Sequence, residues 1–215
     1  MSELARRSIV GVLLIALALV AAVLGGYAFA SLVAAAACVM FYEWRRMVHG
    51  WGFGWQVAGF VYALLPALAL LWIRERFFVD GRDMKLELLL WVFVTTWSVD
   101  IGAYFAGRSI GGPKLAPSIS PNKTWAGLIG GMIAAALVGG LWVKLTQLPH
   151  ILILLAAPFA AAAQGGDLFE SWLKRRAGVK DSGNWLPGHG GALDRLDGLV
   201  VVATLTAAAM MIDLL

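Results

Sequence analysis

Runs of apolar residues broken by short polar stretches set the pattern of this chain. Seven apolar segments can be read, over approximately 8–25, 27–42, 55–73, 86–106, 124–143, 150–168 and 198–215. Most approach the roughly 20 residues that a helix needs to cross a hydrocarbon core. The second is short, and the fourth and sixth carry acids at or near one end. No alternation of the kind a β-barrel requires is visible, so helices must satisfy the backbone in a bilayer. The pattern predicts an all-α fold, a polytopic transmembrane helical bundle of about seven helices.

Composition agrees with that reading. Hydrophobic residues make up 60% of the 215 and charged ones 14%, where a soluble domain usually carries about a quarter charged. Seven spans would use most of the chain and leave no room for a separate soluble domain. The net charge of +4 is what loop lysines and arginines of a membrane protein supply, and it calls for no nucleic acid. Cys38 is the single cysteine, so an intrachain disulfide is excluded. Arg6 and Arg7, an apolar stretch and Ala28-Phe29-Ala30 outline a secretory signal. That stretch is long for a signal and similar segments follow, so it reads as a first anchor.

Charge also orients the bundle. With the N-terminus inside, the inner loops hold Arg6, Arg7, Arg45, Arg46, Arg108, Lys114, Lys123, Lys174, Arg175, Arg176, Lys180 and Arg195; the outer ones hold Arg74, Arg76, Arg82, Lys85 and Lys144. This excess predicts a cytoplasmic N-terminus. It also puts the two chemically loaded loops, 107–123 and 174–197, where a water-soluble nucleotide can reach them. Gly127, Gly131, Ala135 and Gly139 recur every four residues, a small-residue stripe that predicts close packing of the fifth helix against a neighbour.

The densest polar stretch follows Gly165-Gly166-Asp167-Leu168-Phe169-Glu170 and runs from Ser171 to Gly198. Continued as a helix, Asp167, Glu170, Ser171 and Lys174 share a face, as do Asp194 and Asp197 at the start of the last segment. An acid near the bilayer centre costs up to about 3 kcal/mol, so several together point to a water-filled cavity or a cation. Oxygen ligands among lysines and arginines suit Mg²⁺ completed by substrate phosphates. Pro187-Gly188-His189-Gly190-Gly191 lets backbone N–H groups approach an anion. A loop that is basic for topology alone would need no interspersed acids and glycines.

A second stretch holds Asp100 and Tyr104, one turn apart, then Gly107-Arg108, Gly111-Gly112-Pro113-Lys114 and Ser118-Ile119-Ser120-Pro121-Asn122-Lys123-Thr124. Asp100 alone can equally be a helix-packing partner. Lys123-Thr124 is similar to the end of a phosphate-binding P-loop, but the preceding glycines of that motif are missing.

Together these residues resemble the phosphatidate cytidylyltransferases, or CDP-diglyceride synthases. The resemblance rests on Ser171, Lys174-Arg175, Lys180-Asp181, Pro187, His189-Gly190-Gly191, Asp194-Arg195 and Asp197, with Asp100 to Thr124 and its Ser-Pro-x-Lys-Thr run in support. It covers about a quarter of the chain. Ala126 stands where the family commonly has Glu or Gln, Ala192 where a larger apolar residue is usual, and Gly198 where Ser is usual. The chain is also shorter than many members, mainly before the first motif, which implies that one or two helices are absent.

The resemblance implies that CTP and phosphatidic acid become CDP-diacylglycerol and pyrophosphate, with Mg²⁺ required and the presence of a second cation left open. It implies one membrane-embedded domain over 1–215, with N-terminal helices over roughly 1–85 and a catalytic portion over roughly 86–215. Asp167 and Asp194 are the expected metal-binding carboxylates, with Asp197 as an additional or alternative ligand. Lys174, Arg175, Lys180 and Arg195 are expected on phosphates, Asn122 and Lys123 on a second phosphate clamp, and Ser171 on a phosphate or the metal. Asp100, Asp181 and His189 complete the substrate-binding set, His189 as a loop-orienting or phosphate-binding group; His49 and His150 are bystanders. The attacking phosphate oxygen is already anionic near neutral pH, so no histidine base is needed. The resemblance also implies a homodimer in a bacterial inner membrane, its site facing the cytoplasm. A CTP-dependent lipid kinase would release CDP in place of pyrophosphate. A cation-coupled transporter would need neither nucleotide nor the glycine-rich loop.

Overall fold

The computed structural model describes the backbone of residues 3–183, Trp185 and 190–215, and side chains from Ser8 onward. The described residues form seven helices: α1 (Glu3–Leu24), α2 (Gly26–Met47), α3 (Phe53–Arg76), α4 (Lys85–Ser109), α5 (Trp125–Thr146), α6 (Ile151–Arg176) and α7 (Leu193–Met211). Each apolar segment of the sequence lies on one of them. Five, α2 to α6, are long and apolar enough to cross a membrane; α1 offers a shorter apolar stretch, Ser8–Leu24. The first turns of α7 instead carry Asp194, Arg195 and Asp197.

Local chemistry sets the breaks. Gly25 lies at φ 63° between α1 and α2, and the Arg74 guanidinium closes that corner by donating to the Ala22 and Val23 carbonyls. A Cβ on Gly25 would fall 2.6 Å from that guanidinium. Thr124 caps α5, its hydroxyl accepting the Gly127 N–H at 3.0 Å, as an N-cap threonine does. Pro66 and Pro158 sit inside α3 and α6, a placement that neighbouring helices make tolerable in membrane proteins.

Two short antiparallel hairpins depart from the all-helical expectation. β1 (Phe78–Val79) pairs with β2 (Arg82–Asp83), and β3 (Lys114–Ala116) pairs with β4 (Ser120–Thr124). The first turns on Asp80 and Gly81, both at positive φ, the dipeptide that a tight hairpin prefers. The second replaces the loop that the Ser-Pro-x-Lys-Thr run suggested.

Helix connections alternate between two ends. At one end Arg175 reaches the Ile119 carbonyl, Arg176 lies over Trp51, and Glu43 reaches Ala192. At the other Arg82 meets Gln147. The main core joins Leu88, Trp91, Val92, Leu152 and Ala203 from α4, α6 and α7. The small-residue stripe of α5 is buried as expected: a Cβ on Gly131 would stand 2.9 Å from the Val99 carbonyl oxygen of α4.

Candidate active site

Asp100 and Asp167 each lie nine residues before the end of their helix, Ser109 and Arg176 respectively. At 1.5 Å per residue that is a recess of about 14 Å below the helix ends. Lys123 reaches into it from β4, where strand alternation sends its side chain opposite to that of the exposed Asn122. Its Nζ lies 2.5 Å from Asp167 Oδ2 and 3.4 Å from the Gln164 carbonyl oxygen. Ser171 donates to Asp167 Oδ1 at 3.4 Å.

The third wall is the start of α7. Gly166 lets it approach, since a Cβ there would lie 3.3 Å from the Asp197 carbonyl oxygen and closer still to Val201. Asp197 consequently feels the charges of Asp167, Asp100 and Lys123, and Asp100 those of Asp167, Lys123 and Arg195. Acids from α4, α6 and α7 therefore form one electrostatic group with cations among them. Asp167 and Asp194 lie toward the same end of the bundle, Lys123 pairing with the first and Lys174 with the second.

Asp194 is more heavily engaged than a free ligand would be. Its Oδ1 is 2.6 Å from Lys174 Nζ, while Oδ2 accepts from Ser182 N, Ser182 Oγ and Gly191 N at 3.0, 3.0 and 2.8 Å. Lys174 also stands 3.0 Å from Glu170 Oε1. It thus bridges two acids. Glu170 is 2% exposed, and its Oε2 finds no hydrogen-bond partner among the described residues.

That orphaned oxygen and the all-oxygen donor set fit a hard cation. Among the described residues no group of three acids encloses an ion by itself. Mg²⁺, which commonly takes one or two carboxylates plus phosphates and water, does not require one.

The remaining expected residues lie at the rim. Arg175 is exposed and donates to the Ile119 carbonyl at 3.4 Å. Lys180 and Asp181 are exposed in the connection after α6, and Arg195 on α7. His189, with Pro187 and Gly188, lies outside the described residues. Glu43 and Ser182 were missed by sequence reasoning. A lone acid beside Arg45 and Arg46 looks like an interfacial residue, and nothing local shows that it points at α7.

Beside the acids runs an apolar groove of about 530 Å³ between α2, α3, α6 and α7, lined by Trp44, Val61, Tyr62, Phe169, Val200 and Leu205 among others. Tyr62 lines the groove on the side nearer the acids. Its buried hydroxyl has no hydrogen-bond partner among the described residues and feels the charges of Glu170, Asp197 and Asp167.

The arrangement can therefore hold an anionic group in a charged recess with an apolar tail alongside. The sequence model described as the Cytidylyltransferase family matches residues 50–213. A phosphatidate cytidylyltransferase of Brucella suis biovar 1 (strain 1330) is 47% identical over 177 residues, 81% of this chain and 62% of the relative. One of Rickettsia typhi (strain ATCC VR-144 / Wilmington) is 35% identical over 207 residues, 92% and 87% of the two chains. One of Bacillus subtilis (strain 168) is 46% identical over 132 residues, 59% and 49%. The chain spans 62% of the length of the Brucella relative it matches.

Proposed function

The chain belongs to the Cytidylyltransferase family, and from that premise we propose that it makes CDP-diacylglycerol from CTP and phosphatidic acid, releasing pyrophosphate. The observation that carries this reading is the meeting of a recess of acids and lysines with an apolar groove at Tyr62 and Phe169. A nucleotide triphosphate and a lipid phosphate need those two environments side by side. The groove takes an acyl chain, and the recess takes the phosphates.

The lipid phosphate oxygen attacks the α-phosphorus of CTP, and the bond from that phosphorus to the bridging oxygen of pyrophosphate breaks. Positioning and charge neutralisation dominate such a transfer. Lys123 and Lys174, already ion-paired to Asp167, Glu170 and Asp194, exchange a carboxylate partner for a phosphate oxygen. Arg175, Lys180 and Arg195 hold the triphosphate from the rim, with Asn122 and Ser171 hydrogen-bonding beside them. Asp167 and Asp194, with Asp197 as an alternative to one of them, would hold Mg²⁺ together with substrate phosphates, and the ion would supply positive charge there. Asp100 and Glu170 deepen the negative field that attracts it.

The same reading places about seven helices in a bacterial inner membrane, with the N-terminus and the recess facing the cytoplasm and two chains forming a homodimer. Its test is the full chain purified in detergent and given labelled CTP and phosphatidic acid with and without Mg²⁺. Magnesium-dependent release of pyrophosphate with CDP-diacylglycerol is expected; release of CDP would make it a lipid kinase. Asp194→Asn should keep lipid binding and lose turnover, and full activity would remove Asp194 from the cation.

A further inference from the structure

Glu43 on α2 is fully buried, precedes the residues matched by the family, and takes no part in the chemistry above. Both of its oxygens serve the start of α7. Oε1 accepts the Ala192 N–H at 3.0 Å; Oε2 accepts the Leu193 N–H and the Ser182 hydroxyl, each at 2.9 Å. The first N–H groups of a helix need outside partners. Ala192 at the cap of α7 supplies no side-chain bond, so another helix does.

The surrounding chain is shaped to this carboxylate. A Cβ on Gly191 would fall 2.6 Å from Glu43 Oε2 and 2.7 Å from the Gly183 nitrogen, and one on Gly183 would fall 2.8 Å from Glu43 Cδ. Ser182 extends the contact to the acids, since its hydroxyl also lies 3.0 Å from Asp194 Oδ2. Asp194 in turn meets Lys174.

We propose that Glu43 is a positioning residue for cytidylyl transfer, fixing the start of α7 and the Ser182 and Gly191 backbone so that Asp194 and Lys174 keep the spacing that cation and phosphates require. The proposal rests on the function inferred above. Glu43→Gln preserves volume but turns an NH₂ toward one of the donors that the carboxylate accepts. Glu43→Asp keeps the charge but shortens its reach. Ser182→Ala removes only the hydroxyl link.

The full chain and these variants would be compared in kcat, KM for lipid, Mg²⁺ dependence, the rise of unfolding temperature on adding Mg²⁺, and amide exchange over 190–195. Supporting residues behind a metal site typically change affinity or activity by about 10- to 100-fold. Glu43→Gln should lose kcat and require more Mg²⁺ on that scale, with KM for lipid little changed and faster exchange at Ala192 and Leu193. Ser182→Ala should move the same way by less. A Glu43→Gln variant with unaltered Mg²⁺ dependence and exchange would overturn the proposal, as would a loss that only follows the folded fraction. Should the parent chain make no CDP-diacylglycerol, the function reading fails. The Mg²⁺-induced rise in unfolding temperature then decides for Glu43: a smaller rise in Glu43→Gln supports it, an equal one ends it.

Discussion

Lys174 and Lys85 both make ion pairs, and their settings separate what each contributes. Lys174 is 14% exposed and bridges Asp194 and a Glu170 carboxylate that is 2% exposed; Lys85 pairs with Asp83, whose side chain is 57% exposed. Removing one partner of a buried pair strands a charge, at about 3–5 kcal/mol, whereas exposed pairs contribute little. Lys174→Met should therefore lower the unfolding midpoint in detergent as well as abolish turnover. Lys85→Met should leave both near those of the parent chain, and a matching loss in the two would contradict this account. At this scale Asp167, Lys123 and Asp194 were legible because acids and lysines stand out against apolar segments. Glu43 was not, because its importance lies in partners 139 to 150 positions away.

Helix α5 shows what an element-level pattern can and cannot disclose. Its small residues at every fourth position predicted a close neighbour without saying which. The structure identifies α4, with Gly131 under the Val99 carbonyl and Gly130 against Ala106. Gly131→Ala should cost about 1–3 kcal/mol through overpacking, read as a lower midpoint of thermal unfolding. Gly165→Ala is the control: a Cβ there meets nothing within 4 Å, and alanine is the better helix former by about 0.5–1 kcal/mol. Equal destabilisation by the two would show that α4 and α5 do not pack through this stripe. The hairpins escaped sequence reading for a different reason. β1 and β2 have two residues each, too few to display a period, and β4 contains Pro121, which argues against a strand until β3 pairs with it.

Across the whole molecule the functional reading needs the recess to face the nucleotide. Alternating helix ends put the connection after α6 and the β1–β2 turn at opposite ends, so one labelling experiment orients both. On a Cys38→Ser background, Asp80→Cys should react with a membrane-impermeant maleimide in intact cells. Val179→Cys should react only after permeabilisation. The reverse pattern would turn the recess away from cytosolic CTP. No helix alone makes the proposed site: Asp100, Lys123, Asp167 and Asp197 come from α4, β4, α6 and α7, and Glu43 on α2 reaches the start of α7.

The sequence by itself determined the seven helical segments, the small-residue packing face and the acids and cations on which the proposed chemistry draws. Each of these is local: hydrophobic length, a repeat of four, or a charge that an apolar segment would otherwise exclude. Only the tertiary structure decided that Lys174 bridges Glu170 and Asp194, that Tyr62 lines an apolar groove near the acids, and that Glu43 accepts from the start of α7. Those depend on which helices meet and at what depth, and that is fixed by packing between segments far apart in the chain.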